Sequence, residues 1–397
     1  LTLQDHQVLQ RGADGTARGF PTGGPYETEG ARDVLVGDLW VLAGQSNMEG
    51  VGDLIDIEMP SPHVRSFQSR EEWAMAEEPL HWLGESPRVV HHRLWGAENV
   101  PESLPPRDPA RSKGAGLGLA FGKAYYAATG VPVGLIPSAH GGTSMDQWDP
   151  ALKTEGGASL YGATLARVEA NGGRVRGILW YQGESDAYPG GVEVYAAKMR
   201  RLIEAFRTDF QDPHLPFYLV QLGVFACPSA PDGIAGWNGI RELQRRLAAT
   251  IPDTAMVSAI DLELDDLIHI GASGLKRLGR RLAAVATGAP TLDLKFVEWD
   301  DPTHLRVTFT GARGGLQAPG RPAGFELREA SGRPIELLYK TTLEGDTAVL
   351  HVMDGHGPIP QEMQLWYGFG LNPYCNITDA QDMAVPAFGP IAIPPYR

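Results

Sequence analysis

The sequence predicts an α/β protein: an open, doubly wound three-layer α/β/α domain over residues 32–290, followed by a C-terminal β-sandwich region over 291–397. Three observations predict it. Through 32–290, short and nearly continuous apolar runs alternate with amphipathic stretches, the pattern of parallel strands covered by helices on both faces. After about residue 291 the apolar positions alternate within runs separated by turn signals, as in an antiparallel sandwich. Finally, clusters of polar residues follow the apolar runs, at the strand ends where open α/β sheets gather their sites.

Taken in order, residues 1–31 contain "QVLQRGADGTARGF", more strand-like than helical, and are expected to pack as a β segment on the accessory region. The runs read as strands are "DLWVLAG" (38–44), "VPVGLIPSA" (131–139), "RVRGILWYQG" (174–183), "LPFYLVQLG" (215–223) and "TAMVSAIDL" (254–262). Helices are expected near 115–129, 158–171, 192–209, 235–249 and 272–288; in the third, Val194, Met199, Leu202, Ile203 and Phe206 recur at roughly helical spacing. Residues 53–113, rich in proline and charge, interrupt the pattern. A connection that long in a compact domain is usually functional, and it is expected to form a rim or lid over the mouth of the sheet. The strands expected beyond 291 include "LDLKFVEWD", "HLRVTFTG", "AGFELREA" and "QEMQLWYGFG".

Composition narrows the class of partner. The chain has 397 residues, 43% hydrophobic and 21% charged, and its 34 basic and 48 acidic residues leave a net charge of -14 without any basic block. Nucleic acid and an anionic membrane surface are therefore poor partners. No run approaches the roughly 18 apolar residues of a membrane span. Two cysteines, Cys227 and Cys375, do not make a disulfide framework. A secreted or periplasmic setting is expected, and neither metal nor organic cofactor is required by the chemistry below.

That chemistry lies in four clusters. The first run ends at Gln45-Ser46-Asn47, the second leads into His140-Gly141-Gly142, the third ends at Gln182-Gly183-Glu184, and the fifth is followed by "DLELDDLIHIG" with Asp261, Asp265, Asp266 and His269. Acyl transfer needs a hydroxyl nucleophile, a general base and a group that sets the base's tautomer. Ser46, His269 and Asp266 are residues of those types. The Asp-x-x-His spacing lets the carboxylate fold back on one ring nitrogen. The Ser46 amide, a glycine amide from "HGG" and the Gln182 side chain are candidate donors to a tetrahedral oxyanion. Alone, Ser46 reads as a cap or turn residue, His269 as a local hydrogen-bonding group, Asp266 as a surface carboxylate and the glycines as a tight turn. At matching strand ends, the catalytic reading prevails.

Other features keep a plain reading. His91-His92 has no third ligand at metal-binding spacing, and "GAGLGLAFG" (114–122) lacks the preceding strand of a dinucleotide loop. Glu184 and Asp186 do not by spacing alone make a glycosidase pair. "NIT" (376–378) is an acceptor tripeptide only if the protein meets the glycosylation machinery.

"GQSNM" (44–48), "HGGTSMDQW" (140–148), "WYQGESDA" (180–187) and "DDLIH" (265–269) together resemble the sialate O-acetylesterase-like carbohydrate esterases, a branch of the SGNH hydrolases. "DHQVLQRG" (5–12) and "LWYGFGLNPYCNITD" (365–379) extend the similarity towards both ends. The resemblance implies a flavodoxin-like SGNH hydrolase domain that removes acetyl groups from sugar hydroxyls without a cofactor. It implies Ser46 as nucleophile, His269 as base, Asp266 as orienting acid, Gly141 or Gly142 and Gln182 as oxyanion groups, and Glu184 as organiser of the site. Gln45, Asn47, His140 and Trp148 are expected to meet substrate. His140 departs from the tryptophan or small residue that related sequences often carry. The expected partner is an acetylated mono-, oligo- or polysaccharide, with Trp73, Trp82, Trp95 and Trp148 as stacking surfaces. The rival readings are a lipolytic or aryl-ester hydrolase and an inactive carbohydrate-binding protein.

Overall fold

The computed structural model describes residues 2–103, 105–227, 231–353 and 363–396. Its central sheet is built from β1 (Ala31–Gly44), β2 (Val64–Phe67), β3 (Trp73–Met75), β4 (Val133–Pro137), β5 (Gly177–Tyr181), β6 (Phe217–Gln221) and β7 (Thr254–Ser258). Across the sheet the order is β7-β6-β5-β1-β4-β2-β3, every neighbour parallel except β3 on β2. The five strands foreseen in the sequence thus lie in the order 2-1-3-4-5, and the winding reverses between β1 and β5, the switch point where such sheets carry their sites. β4 and β5 are buried along their whole length, which explains why they read as continuous apolar runs rather than alternating ones.

Four helices cross between the strands, α1 (Gly118–Thr129), α2 (Leu160–Glu169), α3 (Pro189–Asp209) and α4 (Pro231–Thr250), and α5 (Ala272–Ala286) follows β7. α1 packs on α5 and α3 on α4. Right-handed crossovers put these two pairs on opposite faces of the sheet. On α3 the buried residues include Tyr195, Met199, Leu202, Ile203 and Phe206, one face of the helix, whereas Val194 is exposed.

Two expectations are corrected here. The N-terminal segment does not pair with the C-terminal region. Val8–Gln10 runs parallel to Leu35–Gly37, and Gly23–Thr28 is antiparallel to the start of β1, with Leu9, Ala31, Val34 and Val36 as a small core of their own. An apolar first half of β1 needs covering, and these neighbouring residues cover it. Nor is 53–113 simply a rim or lid. It supplies β2 and β3, and its ends are tied together by the pairing of Gly52–Asp53 with Lys113–Ala115. The buried Arg167 guanidinium donates to the carbonyls of Phe67, Gln68 and Ser69 (2.5, 3.0 and 3.3 Å) and so holds the segment to α2.

After α5 the chain forms two four-stranded antiparallel sheets. One contains Asp293–Asp301, His304–Thr310, Leu338–Glu344 and Thr347–Val352; the other contains Phe325–Glu329, Pro334–Ile335, Met363–Tyr367 and Phe388–Ala392. Buried polar groups join this region to the parallel sheet. The Gln221 amide donates to Ala387 O (2.8 Å) and accepts from Ala387 N (2.8 Å). Asp261 lies between the Arg277 and Arg281 guanidiniums, both of which also bind Asp382. Unpaired buried charge is costly, so these contacts fix the C-terminal region against the loop that follows β7. Asn376, the acceptor of "NIT", is buried, with its amide donating to Pro319 O and Arg321 O and accepting from Ala323 N. It has no atom left for a glycan.

Candidate active site

β1 ends on Gly44, and the reason is steric. Its φ is +132°, and a Cβ there would lie 2.1 Å from Tyr181 O, so only glycine permits β1 and β5 to stay paired up to this point. The next amide, Gln45 N, bonds to Tyr181 O (2.8 Å), after which Ser46–Glu49 make a single helical turn. Ser46 is left half-buried at the switch point. The Ser46 amide has no hydrogen-bond partner among the described residues.

Asn47 joins this turn to the loop carrying the histidine. Its Nδ2 donates to Glu184 Oε1 (2.9 Å) and Ile268 O (3.3 Å), while its Oδ1 accepts from Ile270 N (3.0 Å). Both chain neighbours of His269 are thereby bonded to the residue that follows Ser46, and the imidazole is held next to the serine turn. Asp266 Oδ2 accepts from His269 Nδ1 (2.8 Å), and Asp266 Oδ1 accepts from the backbone amides of Ile268 (2.9 Å) and His269 (2.8 Å). Burial opposes ionisation of Asp266, but the Ile268 amide, the His269 ring and the His269 amide outweigh it and hold the carboxyl well below the usual range. An ionised Asp266 can only accept, so the proton of this hydrogen bond sits on His269 Nδ1. No Ser46–His269 hydrogen bond is formed in this structure; in sites without substrate such bonds are often long and tighten on binding.

Several expected roles change. The Gln182 side chain is fully buried, and both amide hydrogens are used, on Asp186 Oδ2 (2.6 Å) and Thr143 O (3.1 Å). It therefore braces the loop after β4 and is not an oxyanion donor in this geometry. Gly141 N donates to Glu49 Oε2 (2.7 Å) and is likewise committed. The Gly142 amide has no partner among the described residues, and the residue takes φ +70°, a conformation glycine adopts at little cost. Gln45 and Asn47, expected at the substrate, are 3% and 2% exposed. The Gln45 side-chain amide donates to Glu184 Oε2 and Thr143 O (both 3.2 Å), so its task is to seat the β5 turn against the loop after β4. His140 is also buried, its Nδ1 3.0 Å from His91 Nδ1. Burial pushes His140 down to about 4 and His91 well below its ordinary value, so the two rings share one proton between neutral imidazoles. Trp148 is fully buried, edge-on to Trp180 at 5.1 Å, with its indole N–H on Thr143 Oγ1 (3.1 Å). Trp73 is also buried. Trp82 lies between the Arg107 and Arg111 guanidiniums, while Trp95, 59% exposed and 5.6 Å from His140, presents a free face. Among the described residues, no group of three or more His, Cys, Asp or Glu side chains could hold a metal ion.

Two further residues meet these groups without a signal read from the sequence, Lys113 at Asp266 and Glu49 at Gly141. Lys113 Nζ lies 3.0 Å from Asp53 and 3.5 Å from Asp266, bringing the far end of the 53–113 segment onto the orienting carboxylate. Glu49 could have been found from its position three residues after Ser46, which puts both on one side of a helical turn. Its bond to Gly141 makes it a positioning residue for the "HGG" turn. Replacing Glu49 with Ala is expected to lower kcat at least tenfold on a small acetyl ester with KM nearly constant. Glu49→Gln keeps an acceptor for Gly141 N and should stay within about threefold of wild type. Equal losses in the two variants would remove this role.

Burial raises both Glu49 and Glu184 to about 7. Asn47 and nearby backbone amides favour the charged form of Glu184, yet desolvation prevails. An unfolded glutamate titrates at about 4.3, so between the two values the folded protein binds protons that the unfolded chain has released. Stability contributed by this difference is complete below about 4 and is lost as pH rises through about 7. Glu184→Gln should therefore gain Tm relative to wild type between pH 5.5 and pH 8; an unchanged difference would show that Glu184 is not titrating there.

A parallel α/β sheet with a serine at its switch point, beside a histidine paired to a carboxylate, is an arrangement suited to ester hydrolysis. Comparison with known proteins gives the family. Residues 36–287 match the carbohydrate esterase, sialic acid-specific acetylesterase family, and the chain belongs to it. It is 28% identical over 206 residues to a probable carbohydrate esterase of Arabidopsis thaliana, covering 46% of this chain and 68% of that one. It is 27% identical over 280 residues to human sialate O-acetylesterase, covering 60% and 53%; the chain thus spans about half of that relative's length. A crystal structure of a carbohydrate acetylesterase from Xanthomonas citri superposes with a TM-score of 0.68 at 25% identity, over 93% of this chain and 86% of that one. Among the described residues, no helix is long and apolar enough to cross a membrane.

Proposed function

We propose that the protein is a serine carbohydrate O-acetylesterase acting on acetylated mono-, oligo- or polysaccharides, by an acyl-enzyme route. The observation that carries the proposal is the Asp266–His269 pair held beside Ser46 through Asn47. Ser46 Oγ attacks the acetyl carbonyl while His269 Nε2 takes its proton, and the Ser46 and Gly142 amides are the open donors for the resulting oxyanion. The imidazolium, stabilised by Asp266, then gives that proton to the departing sugar oxygen, leaving acetyl-Ser46. His269 next deprotonates a water that attacks the acetyl group, and collapse returns the proton to Ser46 and releases acetate.

The exposed Trp95 suits a sugar face better than an acyl chain, which favours carbohydrate over lipid esters. In this reading residues 32–290 form the SGNH hydrolase domain, and the two C-terminal sheets pack as a β-sandwich, with Phe309 of one against Phe388 of the other (6.2 Å). The function fits an enzyme that meets its polymer outside the cytoplasm. Acetate release from acetylated xylan, acetylated sialic acid and a short aryl acetate is the deciding measurement. Turnover of the aryl ester alone would favour a general ester hydrolase, and no turnover of any would favour a binding protein.

A further inference from the structure

Beside the triad loop lies a cleft of about 830 Å³, within the size range of small-ligand sites. One wall is the segment after β7, from Ile260 to Leu264 together with Asp266; the facing wall is Asn372–Asn376 of the C-terminal region. The cleft therefore begins at the carboxylate that holds His269. Three features of the far wall bear on its use. Tyr374 is 71% exposed, flanked by Pro373 and Asn372, and offers an aromatic face with a polar tip. The wall is fixed in place, because Arg241 donates to the carbonyls of Gly368, Gly370 and Leu371 (3.2, 2.5 and 3.3 Å) and Arg277 and Arg281 hold Asp382. And it belongs to the region outside the parallel sheet, which carries no triad candidate of its own.

The cleft is lined by more carboxylates than cations. Its lining contains Asp261, Glu263, Asp266 and Asp382 against Arg277. An adjoining hollow of about 380 Å³ adds Asp53, Asp56 and Asp265. The cations closest to these groups are already paired: Lys113 with Asp53 and Asp266, Lys276 with Asp56, and Arg277 with Asp261 and Asp382. Arg281 also pairs Asp261 and Asp382, so among these carboxylates Glu263 and Asp265 are the ones without a cationic partner among the described residues; their residual negative charge accepts hydrogen bonds from sugar hydroxyls and disfavours a sugar carboxylate.

We infer that this cleft is a subsite for the units of a neutral glycan chain adjoining the acetylated residue, with Tyr374 as its stacking platform, and that the enzyme discriminates against acidic sugars such as sialic acid. The inference rests on the esterase reading above and specifies its substrate class. Asp266 is common to the cleft and to the His269 pair, which sets the cleft next to the loop that carries the histidine, and Tyr374 offers a sugar ring there an aromatic face. The family's sialate specificity does not carry over to a site with this charge.

Two measurements separate the inference from the reading it rests on. In steady-state kinetics, Tyr374→Ala should lower kcat/KM on acetylated xylan fragments five- to tenfold, mostly through KM, and leave a short aryl acetate within twofold of wild type. Glu263→Lys should raise activity on acetylated sialic acid relative to the xylan fragments at least threefold, an effect that shrinks with added salt. Binding of deacetylated xylo-oligosaccharide to the Ser46→Ala protein, followed by calorimetry, needs no turnover, and Tyr374→Ala in that background should weaken it comparably. Unchanged binding and an unchanged ratio of xylan to aryl-ester activity in Tyr374→Ala would overturn the subsite. Tighter binding or faster turnover of the acidic sugar by wild type would overturn the charge selection. Aryl-ester turnover without any glycan turnover would instead overturn the carbohydrate esterase reading, while the binding result still decides the subsite.

Discussion

Ser46→Ala is expected to abolish acetate release, with kcat falling by about 10⁴ or more, the scale seen when a serine nucleophile is removed. Folding should be unaffected. The Ser46 hydroxyl makes no hydrogen bond among the described residues, and the turn is held by Gly44, Gln45 and Asn47 rather than by the serine side chain. The loss should therefore appear at unchanged Tm. A fluorophosphonate should label wild type at Ser46 and leave the variant untouched. Retention of more than a few per cent of wild-type activity by correctly folded Ser46→Ala would show that another group attacks the ester.

His269→Ala should be nearly as damaging, because in the proposed mechanism it removes the base that accepts the serine proton. Asp266→Asn is expected to fall between it and wild type, down by about 10²–10⁴, since it mis-sets a tautomer without deleting the base. The asparagine oxygen can still accept from the Ile268 and His269 amides, so the loop persists. What changes is the second atom, which would face His269 Nδ1 with a donor. Because Asp266 is held so low, it stays ionised throughout the working pH range, and activity lost on mild acidification does not come from its protonation. If Asp266→Asn matched wild type, the orienting role would have to move. The structure leaves little choice of where: Asp265 Oδ2 is bonded to Asp53 N (2.7 Å), and Asp261 is occupied by Arg277 and Arg281. Comparing the three kcat values on one aryl acetate, with Tm measured alongside, decides the matter.

Five strands of the parallel sheet and the polar clusters at their ends are legible in the sequence alone. Strands buried on both faces must be apolar throughout, so β4, β5, β6 and β7 were visible as runs, and the order of polar clusters after them located Ser46, Asp266 and His269 at one edge. The Asp-x-x-His pairing is local, spanning three residues, and local geometry is what a sequence can express. The choice of Asp266 over Asp265 was legible for the same reason, through the spacing to His269.

Tertiary structure decided whatever depends on contacts between distant segments. Gln182 looked like an oxyanion donor because an amide at a strand end is free until a neighbour claims it, and Asp186 and Thr143 claim it. Asn47 and Gln45 looked like substrate contacts, yet their partners lie some 100 to 220 residues away and turn them inward. The same holds for Trp148, which is as polar-tipped as any surface tryptophan until Thr143 and Trp180 enclose it. β2 and β3 are short and lie in a proline-rich stretch, so their strand character comes from pairing beside β4 rather than from their own pattern. Glu49 and Lys113 acquire their tasks only once Gly141 and Asp266 are brought to them. A chain specifies which groups are available through composition and period, but each hydrogen-bonding group can serve only a limited number of partners, and only the folded arrangement determines which partners those are.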